Sequence, residues 1–112
     1  FLQLYLNGGE MNGVRILSRT TVASMMANQT GDLFGGGEQH YGLAFGVLTA
    51  SGEAKGGLGG EGTFVWGGYF NTQYFADPKA QVIGIIMKQT QGFTGDQTAW
   101  KFRQLVGASV DD

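Results

Sequence analysis

The first apolar positions of the chain, Leu2, Tyr5 and Leu6, recur at helical spacing and are stopped by Gly8-Gly9. Glu10 to Gly13 reads as a turn and Val14 to Leu17 as a short extended stretch. Ser18 can then cap a helix, its oxygen accepting an amide hydrogen from the first turn. Leu17 and Val22 stand at the two positions that clasp such a cap. Val22, Met25, Met26 and Gln29 continue that helix's inner face, and Gly31 closes it.

After a Gly-rich loop over Asp32–Gln39, the segment Tyr41-Gly-Leu-Ala-Phe-Gly-Val47 alternates large and small side chains. That pattern predicts a strand with Tyr41, Leu43, Phe45 and Val47 on one face and Gly42, Ala44 and Gly46 on a bare face that admits close packing. Ser51–Gly62 is flexible by composition. Two strands in hairpin order follow, one from Thr63 to Ala76 and one from Val82 to Lys88, joined by Asp77-Pro78-Lys79, which suits a type I turn. Asp96 can cap a last helix with an apolar stripe of Ala99, Phe102, Leu105 and Val106. The expected order is helix, helix, three antiparallel strands, helix. This is an α+β chain, an antiparallel sheet with flanking helices, amounting to half of a domain. Because the helical spacing is already running at Phe1, the chain reads as the continuation of a longer polypeptide.

Composition narrows the function. Among 112 residues there are 21 glycines, one proline and no cysteine, and charged residues make up 14% against ~25% in ordinary domains. The absence of cysteine excludes disulfides, thiolate metal sites and a cysteine nucleophile. A net charge of -2 gives neither a basic footprint for nucleic acid nor a polybasic segment for a membrane surface. The longest apolar run, Val82–Met87, is strand-sized, far below the ~18 residues of a spanning helix. Compartment is not legible from the sequence.

Several motifs are decoys. Gly57-Leu-Gly-Gly-Glu-Gly62 spells G-x-G-x-x-G, but a dinucleotide site needs a helix start directly after it, and Thr63-Phe-Val-Trp66 continues as a strand. His40 is the single histidine and is expected to be a satisfied strand-edge residue, so no metal site and no cofactor is expected. Asn28-Gln-Thr30 is a formal glycosylation sequon, which matters only in a eukaryotic secretory setting. No G-x-S-x-G occurs and no serine is followed by lysine three positions later. Thr98-Ala-Trp-Lys101 comes nearest and reads as ordinary helical spacing. Tyr5-Leu-Asn7 spells Y-x-N inside a helix end.

The informative stretch runs from Glu61 to Gln89 and contains Trp66-Gly67-Gly68-Tyr69 and Asp77-Pro78. It resembles the C-terminal signature of the serine beta-lactamase and penicillin-binding-protein superfamily, in its class C-like branch, which also holds esterases and D-amino-acid peptidases. Phe1-Leu-Gln-Leu-Tyr-Leu-Asn-Gly-Gly9, Arg15-Ile-Leu-Ser18 and Tyr41-Gly-Leu-Ala-Phe-Gly46 follow the same family's order. The resemblance implies the C-terminal portion of a beta-lactamase/transpeptidase-like fold, with residues 1–112 as a single piece of a larger domain.

In that family a strand bordering the active site carries Lys-Thr-Gly or a substitute, and Trp66-Gly67-Gly68 takes its place here. Two consecutive glycines expose backbone groups, so that an acyl group can lie alongside. The resemblance makes Trp66, Gly67 and Gly68 substrate-binding and gives the backbone amide of Tyr69 the role of one oxyanion-hole donor. Trp66 in place of lysine tilts the substrate from penicillins towards neutral esters or amides, and the bulk of Tyr69 narrows the acyl pocket. The family's Ser-x-x-Lys pair and activating tyrosine are absent from this chain, and a serine without a base is a poor nucleophile. The implied partners are an ester, amide or lactam substrate and the N-terminal part of the same domain, with self-association expected for the piece alone. Two other readings stay open at this point, a non-catalytic beta-lactamase-like binding module and an unrelated Gly-rich β ligand-binding domain.

Overall fold

The computed structural model describes residues 1–33, 37–91 and 94–110. Residues 34–36, within the loop expected over Asp32–Gln39, lie outside the described residues. Leu2–Leu6 forms helix α1 and Arg19–Met26 forms α2, with Ser18 Oγ accepting from Thr21 N at 3.0 Å as the cap chemistry required. Between them, Glu10–Met11 (β1) and Val14–Arg15 (β2) form a small antiparallel hairpin. Its two-residue turn is Asn12-Gly13, both with positive φ (52° and 78°), the arrangement Asn-Gly favours because the turn's twist matches that of the strands. The expected turn over Glu10–Gly13 is therefore half strand.

Among the described residues the main sheet has five strands rather than three: β3 (Gln39–Tyr41), β4 (Gly46–Leu48), β5 (Phe64–Gly67), β6 (Gln73–Asp77) and β7 (Val82–Ile86), paired antiparallel in chain order. The segment expected as one strand from Tyr41 to Val47 is a hairpin, Tyr41 pairing with Gly46 around residues 42–45. Leu43 is consequently exposed while Phe45 and Val47 are buried. The bare face does admit close packing, at both of its glycines, with the Gln39 side chain over Gly46. A Cβ on Gly42 would lie 1.9 Å from the Met25 carbonyl oxygen, and Leu43 N donates to that oxygen at 3.0 Å. The long strand expected from Thr63 likewise folds back on itself, giving β5 and β6.

The segment expected to be flexible, Ser51–Gly62, is tied down. Thr49 caps a short helix α3 (Ala50–Ala54), its hydroxyl accepting from Gly52 N at 3.1 Å. Beyond it, Gly60 N donates to Asp77 at 2.8 Å, Glu61 N to Glu53 at 3.1 Å, and Arg103 to the Leu58 carbonyl. As expected, the Gly57–Gly62 run leads into a strand and not a helix. Asp77 opens the turn before β7 by accepting from Lys79 N and Ala80 N.

Register decides which face each side chain takes. Val47, Phe64, Ala76 and Ile83 align across four strands. With Leu2 and Phe45 they form the core under α1, where the Tyr5 ring meets Phe45 edge-on at 5.0 Å. On the opposite face Val65, Phe75 and Gly84 align, and helix α4 (Thr98–Ser109) covers them with Ala99 buried and Phe102 6.2 Å from Phe75. Gly84 leaves room for the Phe75 ring, which a Cβ there would meet at 2.2 Å. The fold class is α+β, an antiparallel sheet with helices on both faces. Among the described residues no helix is long and apolar enough to cross a membrane.

Candidate functional site

Trp66, Gly67 and Gly68 sit where β5 outruns its neighbour. On one side β6 pairs with β5 through Gly67, with Trp66 opposite Tyr74 and Gly67 opposite Gln73. On the other side β4 pairs only with Phe64 and Val65. Backbone groups alternate in direction along a strand. The Thr63 carbonyl accepts from Leu48 N on the β4 side at 2.8 Å, and Gly68 N donates to the Thr72 carbonyl on the β6 side at 2.8 Å. By that alternation the N–H and C=O of Gly67 point to the β4 side, beyond the last β4–β5 pair. A short open edge results, offering a donor and an acceptor to an extended group laid beside it.

Tyr69 follows at the tip of the β5–β6 hairpin. Asn71 N donates to the Gly68 carbonyl at 3.0 Å and Asn71 takes φ 63°, as in three-residue hairpin loops built from a turn and one left-handed residue. Tyr69 is the first central residue of that turn, whose amide the turn itself does not use. Among the described residues the Tyr69 amide donates to no protein acceptor. Its ring is exposed and stands edge-on to Phe70 at 5.3 Å, and its hydroxyl accepts from Gln91 Nε2. The glycine pair also has a local reason. A Cβ on Gly68 would meet Thr72 Oγ1 at 2.4 Å, and one on Gly67 the Thr72 carbonyl oxygen at 3.2 Å, so a side chain at either position would crowd Thr72 across the hairpin.

Trp66 is 49% exposed, which leaves about half of the indole free to meet a ligand. It borders a cavity of about 530 Å³ lined by Gln39, His40, Tyr41 and Trp66. Tyr41 and Trp66 meet edge-to-face at 5.2 Å and 69°. His40 Nε2 is held 2.8 Å from the Met26 carbonyl, so the single histidine is a satisfied edge-strand residue whose ring is fixed. Behind Trp66, burial pushes the Tyr74 phenol above its ordinary value, with Tyr41 and Tyr5 adding to the rise, so Tyr74 stays neutral. A second hollow of about 220 Å³ lies on the other flank, against Gly67, Gly68, Thr72, Tyr74, Ile85 and Met87.

The structure thus brings Trp66, Gly67, Gly68 and Tyr69 together at one strand end. Tyr41 and Gln39, which line the Trp66 cavity, were not singled out by sequence reasoning. Their nearness to Trp66 depends on the β3–β4 hairpin, and a single continuous alternation gives no sign of it. Among the described residues neither hollow is lined by a serine or a lysine. Lys88 is committed elsewhere, 2.5 Å from Asp96 with both side chains largely covered. Among the described residues no group of three or more metal-ligating side chains gathers. The arrangement offers backbone hydrogen-bonding groups beside an aromatic surface.

No protein-family model matches the chain. Two curated proteins of Mycobacterium tuberculosis are similar to it: "Uncharacterized protein MT1414" of strain CDC 1551 / Oshkosh and "Protein Rv1367c" of strain ATCC 25618 / H37Rv. Each is 33% identical over 100 residues, which is 80% of this chain and 25% of that protein. The chain therefore spans about a quarter of the length of the curated relatives it matches. Among solved structures, "EstCE1, a hydrolase with promiscuous acyltransferase activity" superposes with a TM-score of 0.65 at 27% identity, over 92% of this chain and 27% of that one. Nearly the whole chain, with its sheet and both helical layers, thus shares the α+β fold of one part of a known hydrolase.

Proposed function

We propose that this chain is the C-terminal portion of a serine hydrolase of the beta-lactamase-like, esterase-type kind, in which it supplies a cleft wall and one oxyanion donor. The observation that carries the reading is the open edge at Gly67, followed by the Tyr69 amide, which donates to no acceptor among the described residues, and flanked by the Trp66 cavity. The family order of motifs supports it, as does the acyl transfer named for EstCE1. In this reading a serine in the rest of the parent attacks an ester or amide carbonyl, and the Tyr69 N–H donates to the oxyanion that forms. Collapse expels the alcohol or amine, leaving an acyl-enzyme that water cleaves. Gly67 aligns the acyl group along the strand edge. Trp66, where a lysine would pair with a carboxylate, favours neutral esters over penicillins.

The 112-residue chain alone is expected to give no turnover of p-nitrophenyl acetate or nitrocefin, because it holds no serine–lysine pair. A longer protein that includes this chain is expected to show burst kinetics with p-nitrophenyl acetate. In it Tyr69→Pro removes the amide hydrogen at a turn position proline tolerates and is expected to lower kcat by roughly 10²–10³-fold. Tyr69→Phe keeps the amide and is expected to keep the rate. An absent burst in the longer protein would favour the non-catalytic binding module, and equal rates for Tyr69→Pro and Tyr69→Phe would remove the oxyanion role.

A further inference from the structure

The cavity beside Trp66 has a lining that selects by chemistry. Its four residues, Gln39, His40, Tyr41 and Trp66, carry no carboxylate, ammonium or guanidinium. A charged ligand would lose its hydration there with no opposite charge to meet it. The two aromatic rings form a corner, 5.2 Å apart and inclined at 69°, and the half-exposed indole of Trp66 leaves ring surface open to a third ring. Aromatic groups prefer edge-to-face or offset contacts at this range of spacing. The corner is also held in place. His40 is anchored to the Met26 carbonyl, and the Gln39 carboxamide lies over Gly46, where a Cβ would be 1.9 Å from its Nε2. Its volume falls within the ~300–1,000 Å³ of small-molecule sites. Trp66 lies only three residues before Tyr69, at most about 11 Å of extended chain, so the corner and the Tyr69 amide belong to the same strand end.

We infer that the site takes esters bearing a neutral aromatic ring, which seats in the corner formed by Trp66 and Tyr41. The inference names a substrate class and rests on the hydrolase reading above. Binding, unlike turnover, requires only this chain. The test uses the ¹⁵N-labelled 112-residue chain and three probes: methyl benzoate, its saturated counterpart methyl cyclohexanecarboxylate, and benzoate anion. The readout is the indole N–H resonance of Trp66, with Trp100 on α4 as the internal control. Methyl benzoate is expected to shift the Trp66 resonance saturably and leave Trp100 unmoved. The saturated ester is expected to bind roughly 2- to 10-fold more weakly, and benzoate more weakly than either. Tyr41→Leu, which keeps apolar bulk without the ring, is expected to abolish the preference for the aromatic ester, and Tyr41→Phe to retain it. Should Tyr41→Leu fail to fold, the comparison of the three probes on the unaltered chain decides alone. Equal affinities for the aromatic and saturated esters would overturn the inference, as would equal shifts at Trp66 and Trp100. Ring-selective binding without any ester turnover by the longer protein would sink the hydrolase reading and leave the aromatic site standing. A burst with no ring preference would do the reverse.

Discussion

Asp96 shows how much one side chain carries where strand β7 gives way to α4. Its carboxylate is held well below the usual range, first by Lys88 at 2.5 Å and then by the Thr98 hydroxyl and the Thr98 amide at 2.8 Å. A carboxylate whose folded pKa is depressed stabilises the fold above its unfolded pKa of about 4. That contribution fades as pH falls through the depressed folded value. Asp96→Asn is therefore expected to unfold at lower urea than the unaltered chain at pH 7, with the gap closing as the titration is repeated towards pH 2. A gap that stays constant with pH would assign the effect to lost packing and not to the ion pair. The sequence pointed to Asp96 as the cap of the last helix; the structure instead puts the cap position at Gln97, with Asp96 one residue before it and accepting from Thr98 N. The partnership with Lys88 was not legible, because it joins a position just past the end of β7 to the approach of α4.

At the scale of elements, α2 was read correctly at its start and too long at its end. Ser18 bonds Thr21 N as its cap chemistry demands, so Ser18→Ala is expected to cost about 0.5–2 kcal/mol, measured as a shift in the urea unfolding curve. Helix α2 stops at Met26, short of the Gly31 that its apolar spacing suggested. The reason is tertiary. The β3–β4 hairpin takes over the helix's last carbonyls, with Leu43 N on Met25 and His40 Nε2 on Met26, and Gln29 N turns away to the Tyr41 carbonyl at 3.0 Å. The same hairpin explains why one alternating segment became two strands. At Gly42 the absence of a Cβ lets the chain pass close to the Met25 carbonyl, and the reversal to β4 begins there. Strand periodicity reports which residues face inward, but it does not report where a run of them turns back.

Over the whole molecule, the sheet leaves two kinds of surface uncovered. Pairing alternates so that Val82, Gly84 and Ile86 bond towards β6, leaving the backbone groups of Ile83 and Ile85 on the outer edge of β7. This edge carries no charged residue from Val82 to Ile86, and charge is a common guard against strand addition. Beside it, exposed Trp66, Ile85 and Met87 lie beyond the cover of α1. The isolated chain is expected to self-associate through this edge and to run larger than a monomer in light scattering. Ile85→Lys, an exposed position, is expected to shift it towards monomer without loss of the folded circular-dichroism signal. A monodisperse monomer at high concentration would refute this expectation.

What the sequence by itself determined was local. It included the stop of α1 before Gly8-Gly9, the start of α2, the strand after the Gly-rich run, the Asp77-Pro78 turn and the clustering of Trp66, Gly67, Gly68 and Tyr69. Each of these rests on caps, turn residues or spacing within a few positions, where the competing conformations differ by local energies. Only the tertiary structure decided that β4 ends opposite Val65 and leaves Gly67 an open edge, and that Tyr41 and His40 come to wall the Trp66 cavity. Those outcomes depend on the β3–β4 hairpin and on the register of β4 against β5, which sets Gly46 opposite Val65. A slip of one residue there would exchange buried and exposed faces, and no spacing along the chain encodes that choice.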